Sequence, residues 1–282
     1  MFKRSPVVVA LTVALAASLA ACGGSKEAET TTAVAAVAPA KLVYPTARTV
    51  EQTDDYHGTQ VADPYRWMEN LDDPDLQPWI AAQNKLVSDF IGDVPNRDKI
   101  KARLTELWDY ERFGVPEVHG GKYFYSRNDG LQNQSPIYVQ DTLDGAPRLL
   151  IDPNTLSADG TIALSETAVS PDGKLFAYSL SDGGSDWRTI KVRNVETGED
   201  LADEIRWAKF TNIAWTKDSS GLFYSRFDAP EGEDPLKAVN KNQKLFLHTI
   251  GKTQADDTLV YERPDQPDWG FSAVVSDDGA FL

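Results

Sequence analysis

Ser170-Pro171-Asp172-Gly173-Lys174-Leu175-Phe176-Ala177-Tyr178-Ser179 is the stretch on which the fold of this chain turns. A polar turn with a glycine feeds a strand of alternating apolar residues, and the same arrangement returns along the chain. It is preceded by Gly120-Gly121-Lys122-Tyr123-Phe124-Tyr125-Ser126. It is followed by Lys217-Asp218-Ser219-Ser220-Gly221-Leu222-Phe223-Tyr224-Ser225 and by Ser276-Asp277-Asp278-Gly279-Ala280-Phe281-Leu282. Gly121, Gly173, Gly221 and Gly279 stand 52, 48 and 58 residues apart. That spacing suits β-propeller blades of ~40 to 50 residues with loop insertions. Each glycine is expected to adopt positive φ, and the alternating aromatics to pack between adjacent blades. A β-sandwich would also supply many strands, but it does not require self-similarity at this period.

Working outward, Lys122–Ser126 and Ile137–Val139 read as two strands of one hairpin, separated by the polar stretch Asp129-Gly130-Leu131-Gln132-Asn133. The 170 residues from Phe113 to Leu282 supply about three blades and the beginning of another. Propellers close with ~4 to 8 blades, so the sequence reads as an N-terminal fragment of a longer protein. Upstream the period changes to that of a helix. Asp75 can cap a segment in which Leu76, Trp79, Ile80, Gln83, Leu86, Val87 and Phe90 share one face, which predicts a core-facing helix. A second helix is expected over Arg97–Trp108, started by Pro95-Asn96, with Ile100, Leu104, Leu107 and Trp108 on its apolar side. Between Val43 and Trp67 the Pro, Asp and Tyr residues predict extended chain and turns.

The N-terminus reads as an address. Lys3 and Arg4, the apolar run Val7–Leu19 and the small residues after it form a signal peptide over 1–21. Leu19-Ala20-Ala21-Cys22 is similar to a bacterial lipobox, which makes Cys22 the acylated residue and 22–42 a lipidated flexible tether. The remaining boundaries are a helical segment over 43–112 and an incomplete propeller over 113–282. These features predict a lipid-anchored protein on the periplasmic or cell-surface side of a bacterial membrane.

The 282 residues carry 28 Lys+Arg against 43 Asp+Glu, a net charge of −15 that repels phosphate backbones and argues against nucleic acid as a partner. One cysteine and three histidines preclude an internal disulfide framework and a cysteine-rich zinc site. No Gly-x-Ser-x-Gly elbow occurs. Gly183-Gly184-Ser185-Asp186-Trp187 is nearest, but a strand over Arg188–Arg193 is expected where the elbow needs a helix, so Ser185 is not assigned as a nucleophile. His57, His119 and His248 lack metal-ligand spacing and read as surface or packing residues. Asp54-Asp55, Asp72-Asp73, Asp256-Asp257 and Asp277-Asp278 read as solvated turns. No metal or other cofactor is called for, and no catalytic residue is assigned.

Asp63-Pro64-Tyr65-Arg66-Trp67-Met68-Glu69, Ala82-Gln83-Asn84, Tyr110-Glu111-Arg112-Phe113-Gly114-Val115-Pro116, Asn128–Ser135, Asp152-Pro153-Asn154 and Gly184-Ser185-Asp186-Trp187 resemble, in order, stretches of the prolyl oligopeptidase family of serine peptidases. The resemblance covers roughly Tyr44–Leu282. It implies a seven-bladed propeller that gates access of short peptides to an α/β-hydrolase domain, with the N-terminal segment packed on that domain. It also implies cleavage on the carboxyl side of proline by a Ser, Asp and His beyond this chain, the fragment itself being inactive. The expected partners are therefore short proline-containing peptides, the protein's own hydrolase domain and the lipid anchor. By local similarity Leu180 and Val260 are the candidate substrate-gating positions. Arg66 and Trp67 are expected to anchor the lead-in to the hydrolase domain. The alternative from the residues alone is a propeller-type ligand- or protein-binding lipoprotein without catalysis.

Overall fold

The computed structural model describes residues 42–230 and 238–282. The signal-peptide segment, Cys22 and all but the last residue of the tether lie outside the described residues. The chain divides into two compact units, 1–90 and 91–282.

In the first unit, β1 (Thr53–Tyr56) and β2 (Thr59–Ala62) form an antiparallel hairpin. His57 and Gly58, at φ 55° and 90°, make its two-residue turn. The expected extended chain and turns thus take the form of a hairpin, and Asp54-Asp55 lie in a strand rather than a turn. Two successive left-handed residues match the twist of the flanking strands. Arg66 bridges to Asp54 and, at 2.7 Å, to Asp63, while Trp67 Nε1 donates to the Arg48 carbonyl at 2.9 Å. Arg48 also lies over the Trp67 ring at 4.3 Å. Arg66 and Trp67 therefore fasten the hairpin to the turn of 3-10 helix that carries them.

Two helices follow, α1 (Leu76–Gly92) and α2 (Arg97–Trp108), the second entered through Asn96 at φ 64°. The helical period is realised, and the apolar stripe is partly covered in α1 and exposed in α2. In α1 Leu76 is the buried residue, α2 has none, and Val87, Phe90, Ile100, Leu104, Leu107 and Trp108 are exposed. The expectation of a core-facing helix holds in part for α1, where Leu76 is buried and Trp79, Ile80, Gln83 and Leu86 are half-buried. Periodicity reports which face is apolar, and not whether a partner lies against it.

From Arg112 onward the chain is a series of antiparallel meanders. The first comprises β3 (Arg112–Phe113) and β4 (Glu117–His119), both paired with β5 (Lys122–Asn128), then β6 (Ile137–Gln140) and β7 (Arg148–Ile151). The second runs β8 (Ile162–Val169), β9 (Leu175–Asp182), β10 (Arg188–Asn194) and β11 (Asp200–Ala208). The third is β12 (Ala214–Trp215), β13 (Gly221–Arg226), β14 (Lys244–Thr249) and β15 (Thr258–Tyr261). The second and third meet in one residue pair, Ala208↔Arg226, and so share one eight-stranded sheet. These are three propeller blades, and the β5–β6 hairpin is the one read from the sequence.

Strand alternation builds the cores between blades. On β9, Phe176 and Tyr178 face a cluster with Phe124, Val139, Leu150 and Ile151 of the first blade. Ala177, between them, faces the opposite cluster with Ile205, Trp215, Leu222 and Tyr224. With a side-chain period of two, one strand thereby serves two seams.

The repeated turn has a register that the glycines alone misplace. Ser170 Oγ donates to Asp172, which accepts from Lys174 N, and Leu175 N returns a bond to Ser170 Oγ. Thr216, Asp218, Ser220 and Gly221 repeat this set, as do Ser276, Asp278, Ala280 and Phe281. The left-handed position is Gly173, Ser219 and Gly279 in turn, at φ 71°, 62° and 74°. Gly221 opens its strand and is not left-handed. Adjacent turns abut. A Cβ on Gly173 would meet the His119 carbonyl at 2.5 Å, Asp172 N donates to Ser219 Oγ at 3.2 Å, and a Cβ on Gly279 would meet Lys217 Cβ at 2.5 Å.

Candidate functional site

The densest buried chemistry lies along the seams between blades, where one arrangement occurs twice. Tyr178 of β9 donates to Asp200 at 2.8 Å, and Arg193 of β10 bridges the same carboxylate at 2.7 Å. In the next blade Tyr224 of β13 donates to Asp257 at 2.6 Å, and His248 of β14 meets that carboxylate at 2.6 Å through Nδ1. Arg193 and His248 occupy the same place, opposite Phe176 and Leu222. Each also reaches back to the preceding blade. Arg193 donates to the Leu150 carbonyl at 2.8 Å, whereas His248 Nε2 lies 2.9 Å from Asp203, which accepts from Gly251 N as well.

Burial pushes both tyrosines far above their ordinary range, and their carboxylate acceptors add to the effect. Burial alone would pull His248 down, but the hydrogen bonds and charges of Asp257 and Asp203 win, and its value is raised. With both ring nitrogens on carboxylates the residue is an imidazolium that donates twice. It is 0% exposed, and the side chains of Asp203 and Asp257 are 2% and 1% exposed. An imidazolium sealed in this way has no free lone pair with which to take a proton from a nucleophile, so the constellation is a clasp rather than an acid–base catalyst. Assignment of Asp257 to a solvated turn is thereby corrected. Asp256 beside it does cap a short turn with Thr253.

Other residues singled out in the sequence fall elsewhere. Ser185 Oγ accepts from Trp187 N at 3.1 Å, and β10 follows directly. His57 sits in the β1–β2 turn, and His119 ends β4 with its ring edge-on to Phe124 at 6.2 Å. Leu180, on β9, packs against the cluster between the first two blades, while Val260, on β15, is 38% exposed beside Leu245 and Phe271. The two candidate gating residues thus belong to different blades and are not brought together. Among the described residues no group of His, Cys, Asp and Glu is arranged to hold a metal ion, and no helix is long and apolar enough to cross a membrane.

Several stretches that carried the resemblance do converge. Gln134 N donates to Asn154 Oδ1 and Asn154 Nδ2 to the Gln134 carbonyl, at 2.9 and 2.8 Å, which joins the Asn128–Ser135 loop to Asp152-Pro153-Asn154. The Gln134 side chain then brackets β8 through Ile162 O and Leu164 N. Arg112 holds the other flank of the loop through the Gly130 carbonyl at 2.9 Å. Trp187 meets Trp207 and Phe227 edge-on at 5.5 and 6.1 Å. Sequence reasoning missed the clasp. The signal available was the matched order Tyr178, Arg193, Asp200 and Tyr224, His248, Asp257 within two repeats.

Comparison with known proteins agrees with this architecture. The family described as prolyl oligopeptidase, N-terminal β-propeller domain, matches residues 44–282. The chain is 36% identical over 241 residues to a prolyl endopeptidase of Elizabethkingia meningoseptica, covering 86% of this chain and 34% of that protein. It is 33% identical over 265 residues to a dual function macrocyclase-peptidase of Galerina marginata, covering 85% of this chain and 36% of that one. Among solved structures, prolyl oligopeptidase B from Galerina marginata bound to a 25mer macrocyclization substrate superposes with a TM-score of 0.76 at 32% identity, over 84% of this chain and 36% of that one. The chain spans about a third of the length of the curated relatives it matches. On the match over 44–282, which contains the three blades, the chain belongs to the prolyl oligopeptidase N-terminal β-propeller domain family.

Proposed function

We propose that this chain is the propeller-bearing part of a serine endopeptidase that hydrolyses short peptides on the carboxyl side of proline. The observation that carries the reading is the family match over 44–282, within which three successive blades occupy 112–261. In this account the propeller supplies exclusion and shape. A hydrolase domain supplies the acyl transfer, with a serine activated by histidine and backbone donors on the oxyanion. The exposed apolar residues of α1 and, separately, those of α2 each support a role in contact with that domain. Leu180 and Val260 are proposed to act separately, each narrowing the path of the peptide at its own blade.

The proposal extends to location. Residues 1–21 act as a signal peptide, Cys22 carries the lipid and 22–42 is a tether, so the enzyme works outside the cytoplasm at a bacterial membrane. The test is made on the whole protein extracted from the membranes of its source, with Gly-Pro and Gly-Ala reporter peptides compared. Release from Gly-Pro at least a hundredfold faster is expected. Failure to cleave Gly-Pro would favour a propeller lipoprotein that binds without catalysis.

A further inference from the structure

The two seams are fastened at equivalent places by different cations. Between the first and second blades the cation is Arg193, whose guanidinium keeps its charge across the neutral and alkaline range. Between the second and third blades it is His248, sealed from water together with Asp203 and Asp257. Of the two, histidine is the one that can lose its charge near neutral pH.

The two bonds of the His248 ring lead in different directions. Nδ1 meets Asp257, 2.6 Å away and within the third blade, whereas Nε2 meets Asp203, 2.9 Å away across the seam on β11. When the imidazolium gives up one proton, the shorter bond within the blade retains the other, because the stronger hydrogen bond holds its proton more tightly. The Nε2 lone pair then faces Asp203 Oδ1 with no proton between them. That same oxygen accepts from Gly251 N at 2.6 Å, so repulsion at Nε2 works against this second cross-seam bond as well.

The other fastenings of the seam are separate from this one. Gln254 brackets Arg206, accepting from its N–H at 3.0 Å and donating to its carbonyl at 2.9 Å. The sheets of the two blades join at Ala208↔Arg226, at the end of β11 away from Asp203. Between β12 and β8, Trp215 Nε1 donates to the Ala168 carbonyl at 3.0 Å, and Asp172 N donates to Ser219 Oγ at 3.2 Å between the turns.

The titratable groups that face the ring are Asp203 from β11, Tyr224 from β13 and Asp257 from the segment before β15. The remaining charges of these elements are engaged elsewhere. Glu204 pairs with Lys191 and Arg206 on the opposite face of β11. Lys244 of β14 pairs with Asp228, and Arg226 of β13 lies over the Phe246 ring. Asp256 caps its own turn with Thr253 and has Lys252 as its neighbouring charge.

We propose that His248 is a pH-sensitive latch, which ties β14 to β11 when protonated and releases that side of the seam between the second and third blades when it loses its proton. The β8–β12 side and the first seam stay closed. The folded-state value of His248 is raised, which fixes the direction: the latch is shut below the ordinary 6.5 and opens as pH rises through the higher value. Asp257 directly precedes β15, so release also frees the start of the strand that bears Val260. The latch stands independently of the peptidase reading.

Amide hydrogen exchange on the whole protein, corrected for the intrinsic pH dependence of exchange, reads the opening at single N–H groups. Gly251 N and Arg206 N bond across the second seam, and Leu164 N, which donates to Gln134 Oε1 at 2.9 Å, bonds across the first. Protection at Gly251 and Arg206 should fall by up to about tenfold per pH unit above 6.5 and then level, at least about fivefold in total by pH 9. This exchange should be insensitive to low urea, the mark of a local opening, and Leu164 should show no such pH-dependent opening. His248→Arg, a permanent cation, should hold protection flat with pH. His248→Gln, neutral throughout, should show low protection already at pH 6. Exchange of the His248 ring C2 proton, read by mass spectrometry, follows the titration in the unaltered protein, and its midpoint should fall where protection levels. Protection unchanged from pH 6 to 9 overturns the latch. So does exchange at Gly251 and Arg206 that follows global unfolding in urea, an equal local opening at Leu164, a fall that survives in both variants, or a ring midpoint away from the change in protection.

Discussion

His248→Leu is the substitution that probes the seam most deeply. Two carboxylates, Asp203 and Asp257, meet the imidazolium at 2.9 and 2.6 Å, all of them shielded from water. With the cation gone, among the described residues Asp203 keeps the Gly251 N–H and Asp257 the Tyr224 hydroxyl. Removing one partner from a buried charge cluster costs about 3 to 5 kcal/mol, because the remaining charges stay desolvated and uncompensated. Urea unfolding followed by tryptophan fluorescence at pH 6 measures the loss. The pH dependence fixes the mechanism. His248 has a raised value in the fold, so its contribution is complete below its ordinary 6.5 and is lost as pH rises through the higher folded-state value. The native protein should therefore weaken on the alkaline side, and His248→Leu should lack that slope. Adding Asp203→Asn and Asp257→Asn should recover much of the deficit. A loss below about 1 kcal/mol, or an unchanged alkaline slope in the variant, refutes the clasp.

Arg193→Met should cost stability comparably but with no alkaline slope, because guanidinium stays charged across the range; denaturation at pH 6 and 9 compares the two. Gly173→Ala adds a Cβ against the His119 carbonyl at φ 71° and should cost at least about 3 kcal/mol, whereas Gly183→Ala, left-handed but with open space, should cost about 1 to 2 kcal/mol by the same unfolding assay. Trp215→Phe gives up the bond from Nε1 to the Ala168 carbonyl at 3.0 Å and should lose about 1 kcal/mol while keeping the core filled. The turn aspartates are held low by neighbouring hydroxyls and backbone N–H groups, Asp218 at about 2. Their contribution is present above the ordinary 3.8 and is lost as pH falls towards 2, so acid titration should loosen amide protection at Thr216–Gly221 before the strands open.

What was legible in the sequence follows from which forces act locally. Turn chemistry and strand alternation are encoded within ten residues, so the blades, the β5–β6 hairpin and both helices could be read from their own residues. Gly221 shows the limit. The eye aligns glycines, while the turn is held by Asp172, Asp218 and Asp278 accepting from backbone and hydroxyl, and a serine can occupy the left-handed position. The β1–β2 hairpin was missed because His57-Gly58 is a weaker turn signal than Asn-Gly. The clasp joins residues seven to forty-five positions apart through cross-strand register, which composition and periodicity do not carry.

The central claim is that these blades admit short proline peptides to a serine peptidase and turn larger substrates away. Its most direct test gives the whole membrane-extracted protein one Gly-Pro sequence in two settings, as an eight-residue peptide and in an exposed loop of a stable folded host. The account predicts rapid cleavage of the peptide after proline and no detectable cleavage of the loop. Equal cleavage of both, or of neither, would contradict it.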